Sequence, residues 1–222
     1  ALPISYVDTA PQYGLGRSEH FVGDVLREAA VRPVVSTKVG RLLKPVSPDR
    51  QDKGNWVDPL PFDQQYDYSY DGVMRSFEDS LQRLGLDRVD IVYVHDIGAA
   101  THGVEGNKPL WAQLAGGGYK ALRELRDSGV IKAIGLGVNE WPVLMDAFAL
   151  GDWDVFLLAG RPLALTRREQ AALDLLLQHS GRPVSRADLS AQVFDNPDDT
   201  GPEAIEVVVH RLRKKLGDSV RI

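Results

Sequence analysis

The chain has 222 residues, 43% of them hydrophobic, and a formal charge of −5, which is apolar material enough for one large globular domain or two small ones. Residues 162–222 hold 9 basic and 9 acidic side chains and residues 1–161 hold 17 and 22, a balance that excludes attraction of the whole chain to nucleic acid by net charge. There is no cysteine, hence no disulfide framework, thiolate metal site or thiol nucleophile, and no apolar run approaches the ~20 residues of a membrane span. The expectation is a cytoplasmic protein with no metal and no membrane partner.

Taken in chain order, the first 160 residues alternate short β-branched runs with helical patterns, the sequence form of repeated βα units. Strands are expected at ISYVD (4–8), PVVSTK (33–38), VDIVYVH (89–95), IKAIGLGV (131–138) and DVFLL (154–158), with helices near 18–29, 70–84, 118–128 and 141–149. The near-continuous apolar character of the strands implies helices outside and side chains filling the inside. The proline-bearing stretch 41–68 has little periodicity and reads as a long, functional loop.

After Gly160 the pattern changes. LTRREQAALDLLLQHSG, PVSRADLSAQVF and EAIEVVVHRLRKKLG are three helical segments with no strand between them. Thr166 with Glu169 and Ser185 with Asp188 have capping-box spacing, and Gly181 and Gly217 sit where helices stop. The boundary falls at Gly160 to Pro162, which divides the chain into 1–160 and 161–222.

Asp8, Lys38 and His95 each lie at the carboxyl end of an expected strand, and Tyr13 lies in the first loop. In a βα barrel those ends converge on one face. A phenol has a reference pKa near ~10, and a buried ammonium beside it favours the phenolate and eases proton donation. Lys38 supplies such a cation, Asp8 a counter-charge and His95 a hydrogen bond to a substrate oxygen. Singly, a Tyr or Asp in a turn is more often a cap, and a strand-end Lys is more often solvated. Trp56, Trp111, Trp141 and Trp153 could line a pocket, but core or loop packing is expected for most of them.

The segments YVDTAPQYGLGRSE, STKVG, DYSYDGVMRSFEDSLQRLGLDRVDIVYVHD and VIKAIGLGVNE resemble successive blocks of the aldo-keto reductases, nearest the aldose, fucose and pyridoxal dehydrogenase branch. The resemblance covers residues 4–160. It implies Tyr13 as general acid/base, Lys38 and Asp8 as its tuning pair, His95 as substrate orienter and Asn139 as a contact to the nicotinamide carboxamide. It further implies an NADP (or NAD) cofactor and a small carbonyl or aldose substrate. It supplies only the second to sixth of the family's eight strands, so the expected fold is α/β, a partial TIM-type barrel lacking the units that hold the cofactor phosphates. Such a sheet leaves ISYVD and DVFLL as open edges, which predicts a homo-oligomer.

Residues 160–217 resemble the OmpR/PhoB-type winged-helix DNA-binding domain of response regulators, with the helix-turn-helix present and the wing missing. In that family the last helix enters the major groove, which implies DNA contacts from His210, Arg211, Arg213, Lys214 and Lys215. On charge alone, a solvated basic helix end competes with that reading. Two unrelated families joined at Gly160 and Arg161 imply a fragment or chimera. Its function is then an NADP-dependent oxidoreductase fused to a DNA-binding module, or a DNA-binding module with the barrel as inactive scaffold.

Overall fold

Period-two alternation organises the strands of the first unit: Val35 and Val39, Val92 and Val94, and Ile134, Leu136 and Val138 are buried in one apolar core, while the residues between them turn to the opposite face of the sheet. In the computed structural model, which describes residues 4–47, 49–159, 165–179, 183–194 and 203–216, the chain divides into two units, Ala1–Ala159 and Gly160–Ile222.

The first unit runs β1 (Tyr6–Asp8), α1 (Arg17–Glu28), β2 (Val34–Val39), β3 (Arg41–Pro45), β4 (Phe62–Tyr66), α2 (Tyr70–Leu84), β5 (Ile91–His95), α3 (Ala99–His102), α4 (Val104–Gln113), a π-helical turn at Leu114–Gly118, α5 (Tyr119–Asp127), β6 (Ala133–Val138), α6 (Pro142–Leu150) and β7 (Val155–Leu158). Five strands form one parallel sheet in the order β1-β2-β5-β6-β7. Register sets Asp8 beside Ser36, Lys38 beside Tyr93, Tyr93 beside Gly135 and His95 beside Gly137. On the face away from the helices, buried Ser36, Lys38, Tyr93 and His95 fill the inside, so that face is more polar than the apolar runs of the strands suggest.

Helix α2 starts on the Ser69 side chain, which accepts from Gly72 N, and stops at Gly85 in the left-handed region at φ 60°. Its Phe77 and Leu84 are buried in the core with Leu26 of α1. Gly23 lets α1 approach α2 closely, since a Cβ there would lie 1.9 Å from Leu84 O. Buried Glu19 ties α1 to β2 and α2, accepting from Thr37 Oγ1 at 2.6 Å and Arg83 Nε at 2.6 Å.

Two expectations are corrected. Residues 41–68 do not form a plain loop: β3 and β4 pair antiparallel, Arg41 opposite Tyr66 and Pro45 opposite Phe62. Residues 99–117, for which no element was expected, are helical apart from Gly103.

The second unit contains α7 (Arg167–Gln178), α8 (Arg186–Val193) and α9 (Glu203–Leu216). Ala172, Leu189, Val193, Phe194, Ile205, Val208 and Leu212 form its core. The capping box at α7 is made: Thr166 N donates to Glu169 Oε2 at 2.7 Å and Glu169 N to Thr166 Oγ1 at 3.3 Å. At α8, Asp188 N donates to Ser185 Oγ, while the Asp188 carboxylate accepts from the Ser185 hydroxyl and not from the backbone N–H that a full box requires. Gly181 and Gly217 lie outside the described residues.

Candidate active site

Because β1, β2, β5 and β6 run parallel, their carboxyl ends share one rim of the sheet, and there Asp8, Lys38, His95 and Asn139 stand. Tyr13 joins them from the loop after β1, which folds tightly through Gly14, Leu15 and Gly16 at φ 63°, 53° and 99°. A hydrogen bond from Ser18 N to Tyr13 O anchors that loop to α1.

Lys38 is 2% exposed. Its Nζ donates to Asp8 Oδ2 at 2.5 Å and to Thr9 O at 3.0 Å, and it lies 4.7 Å from the centre of the Tyr13 ring. Gly137 makes room for this side chain, since a Cβ there would meet Lys38 Cε at 3.2 Å. Asp8 Oδ1 accepts from Ser36 Oγ at 2.6 Å, and Ser36 Oγ pairs with the Tyr6 hydroxyl at 2.7 Å, which reaches Tyr93 Oη at 3.3 Å. Hydroxyls in series thus support the carboxylate that holds the buried ammonium. This ladder was not foreseen; its signal is the alternation of Tyr6, Ser36 and Tyr93 on one sheet face.

The Tyr13 ring meets the His95 ring edge-on, centroids 5.8 Å apart at 90°, and Trp56 lies against it at 5.8 Å. The Tyr13 hydroxyl has no hydrogen-bond partner among the described residues, so it is open to an incoming oxygen. Trp56 lines a cavity of about 490 Å³ with Gln12, Asp52, Asp63 and Tyr66, and a second of about 420 Å³ with Tyr13, Arg17 and Phe21.

His95 is buried, and burial, reinforced by the Arg41 and Lys38 cations, holds its imidazole well below the usual histidine range. It is neutral at pH 7. Its Nε2 lies 3.5 Å from Asp96 Oδ2. Asp96 also accepts from Arg41 Nη2 at 2.6 Å and from Asn139 Nδ2 at 2.8 Å. Burial raises the Asp96 carboxyl above its ordinary value, opposed by Arg41 and Lys38. Neither Arg41 nor Asp96 was foreseen, because they are 55 residues apart in sequence. The exposed Asn139 donates inward to Asp96, and its carbonyl Oδ1 has no protein partner among the described residues. It is an acceptor of the kind a carboxamide N–H can use.

In the second unit His210, Arg211, Arg213, Lys214 and Lys215 are exposed on α9. Lys215 Nζ donates to Glu169 Oε2 at 2.6 Å. That ion pair, with the Thr166 N–H, lowers the Glu169 carboxyl to about 2.

A parallel βα sheet here gathers a Tyr, a buried Lys–Asp pair and a His on one carboxyl rim, the face on which a βα fold collects its functional groups. Residues 2–186 match the model of the aldo/keto reductase family, and the chain belongs to that family. Residues 160–222 also match the model described as transcriptional regulatory protein, C terminal. The chain is 51% identical over 168 residues to a pyridoxal 4-dehydrogenase of Microbacterium luteolum, across 71% of this chain and 49% of that protein. It is 57% identical over 72 residues to the transcriptional regulatory protein TctD of Salmonella typhimurium, across 32% of each. The chain thus spans about half the length of the pyridoxal dehydrogenase and a third of the regulator. Among solved structures, a glycerol dehydrogenase from Gluconobacter oxydans is similar in fold, with a TM-score of 0.50 and 21% identity over 95% of this chain and 62% of that one.

Proposed function

We propose that the first unit is a carbonyl reductase or aldose dehydrogenase working with NADP(H) or NAD(H). The observation that supports this reading best is the stack of the Asp8–Lys38 pair under the Tyr13 ring, with His95 edge-on to it. A nicotinamide, when bound against Asn139, supplies the hydride. Tyr13 Oη gives its proton to the carbonyl oxygen as the carbon is reduced, and takes it back in the oxidative direction. Lys38, held charged by Asp8, stabilises the phenolate that remains, and neutral His95 orients the oxygen.

Absorbance at 340 nm, followed as the chain meets NADPH or NADH with pyridoxal or a simple aldehyde, and NADP+ or NAD+ with pyridoxal or an aldose, tests this reading. Substrate-dependent loss of the signal in the first set or gain in the second is expected; no change with any pair contradicts it.

A second reading, a DNA-binding regulator module with the barrel unit as scaffold, is favoured by the exposed His210, Arg211, Arg213 and Lys214 on α9 and by the regulator match over 160–222. We read the whole as a chimera: an oxidoreductase unit in series with a DNA-binding unit. Among the described residues β1 and β7 each pair on one side only, and we propose that a homo-oligomer covers these edges.

A further inference from the structure

We propose that Asp96 is a positioning residue of this site, orienting His95 and Asn139 from one carboxylate that Arg41 holds in place. The role rests on the reductase reading above. Asp96 follows His95 directly and has φ 47°, in the left-handed region that a non-glycine residue enters at a cost. Its backbone N–H donates to Gly137 O at 2.8 Å, which fixes it to the end of β6. From there Oδ1 reaches Asn139 and Oδ2 reaches both Arg41 and the Nε2 side of His95.

Each contact selects one orientation. Asn139 must turn its NH2 toward Asp96, which leaves the amide carbonyl facing outward as an acceptor. At His95 the carboxylate favours the neutral tautomer with the proton on Nε2. A proton on Nδ1 would instead set the Nε2 lone pair against the negative charge, and Nδ1 itself is buried without a partner. The 3.5 Å approach to Asp96 is a charge contact and not a hydrogen bond, so the Nε2–H stays available as the donor that a substrate carbonyl requires. Arg41 is 2% exposed and also donates to Gln64 Oε1 of β4 at 2.8 Å, so the β3–β4 hairpin determines where Asp96 stands.

Nitrogen-resolved NMR of the imidazoles in the intact chain at neutral pH tests this, with His95 assigned by its loss in H95Q. The wild type is expected to show the proton on Nε2. Asp96→Asn and Asp96→Ser, both folded by circular dichroism, are expected to show a mixture or the Nδ1–H form. An unchanged tautomer in the variants overturns the proposal, and so does loss of the fold in both, which would make Asp96 structural. In a turnover assay Asp96→Asn is expected to lower kcat about a hundredfold with a smaller effect on KM, and an unchanged kcat also overturns it. A wild type without turnover whose tautomer still responds to Asp96 defeats the reductase reading and leaves the positioning role standing.

Discussion

Lys38 is a buried ammonium whose charge is met by Asp8 Oδ2 and Thr9 O. Lys38→Met removes the cation beside Tyr13 and leaves the Asp8 carboxylate without its partner. We expect turnover to fall by about 10²–10⁴-fold with a changed pH–rate profile; a profile of unchanged shape would remove Lys38 from the tuning role. His95 gives a pH dependence with a definite sign. Its folded pKa is depressed, so below the ordinary value near ~6.5 the unfolded chain binds a proton that the folded chain does not. Stability of the first unit is therefore full above that value and declines as pH falls toward the folded pKa. Denaturant unfolding at stepped pH should show this decline, and His95→Gln should flatten it. At this scale the sequence is informative about Asp8, Lys38 and His95, which lie at the carboxyl ends of recognisable strands, and about Tyr13, in the loop after the first of them. It is silent about Arg41 and Asp96 and does not single out Trp56 from the other tryptophans, because their placement arises from contacts between distant segments.

The elements that read well are those whose pattern agrees with their ends. Helix α2 is expected at 70–84 and found at Tyr70–Leu84, between the Ser69 cap and Gly85. The β3–β4 hairpin escaped because Pro59 and Pro61 interrupt its approach and the strand FDQQY is polar. Gly98, Gly103, Gly106, Pro109 and Gly116 to Gly118 punctuate α3, α4 and the π-helical turn, and so many breakers read as loop. Close packing yields a test at this level. A Cβ at Gly135 would lie 1.7 Å from Val155 O, so Gly135→Ala should force β7 away from β6 and cost about 3 kcal/mol or more, read as a lowered denaturation midpoint. In the second unit Glu169 serves both the α7 cap and Lys215. Its folded value of about 2 lies below the ordinary carboxyl value, so its contribution is present above roughly 4.5 and lost as pH falls toward 2. Thr166→Ala should cost about 1 kcal/mol, and a second unit equally stable from neutral to acid pH would argue against the Glu169 contribution.

At the scale of the whole molecule, residues 2–186 match one family model and residues 160–222 another, and the sequence pattern changes between them: strands alternate with helices before Gly160, and no strand is expected after it. DNA binding by α9 should be weak and steeply salt-dependent, since residues 162–222 carry as many acidic as basic side chains. Arg213→Ala with Lys214→Ala should weaken binding to all sequences alike, and tight sequence-selective binding at physiological salt would show that base contacts dominate. Sedimentation across a concentration series tests the covered sheet edges, with a homo-oligomer expected and a monomer at every concentration contrary to it. The central claim is that the rim of the first unit is a working reductase site built around Tyr13. Its most direct test is NADPH- or NADH-dependent reduction of an aldehyde by the wild type and by Tyr13→Phe, side by side. Turnover is expected in the wild type and none in Tyr13→Phe; equal rates in the two would remove Tyr13 from the acid role.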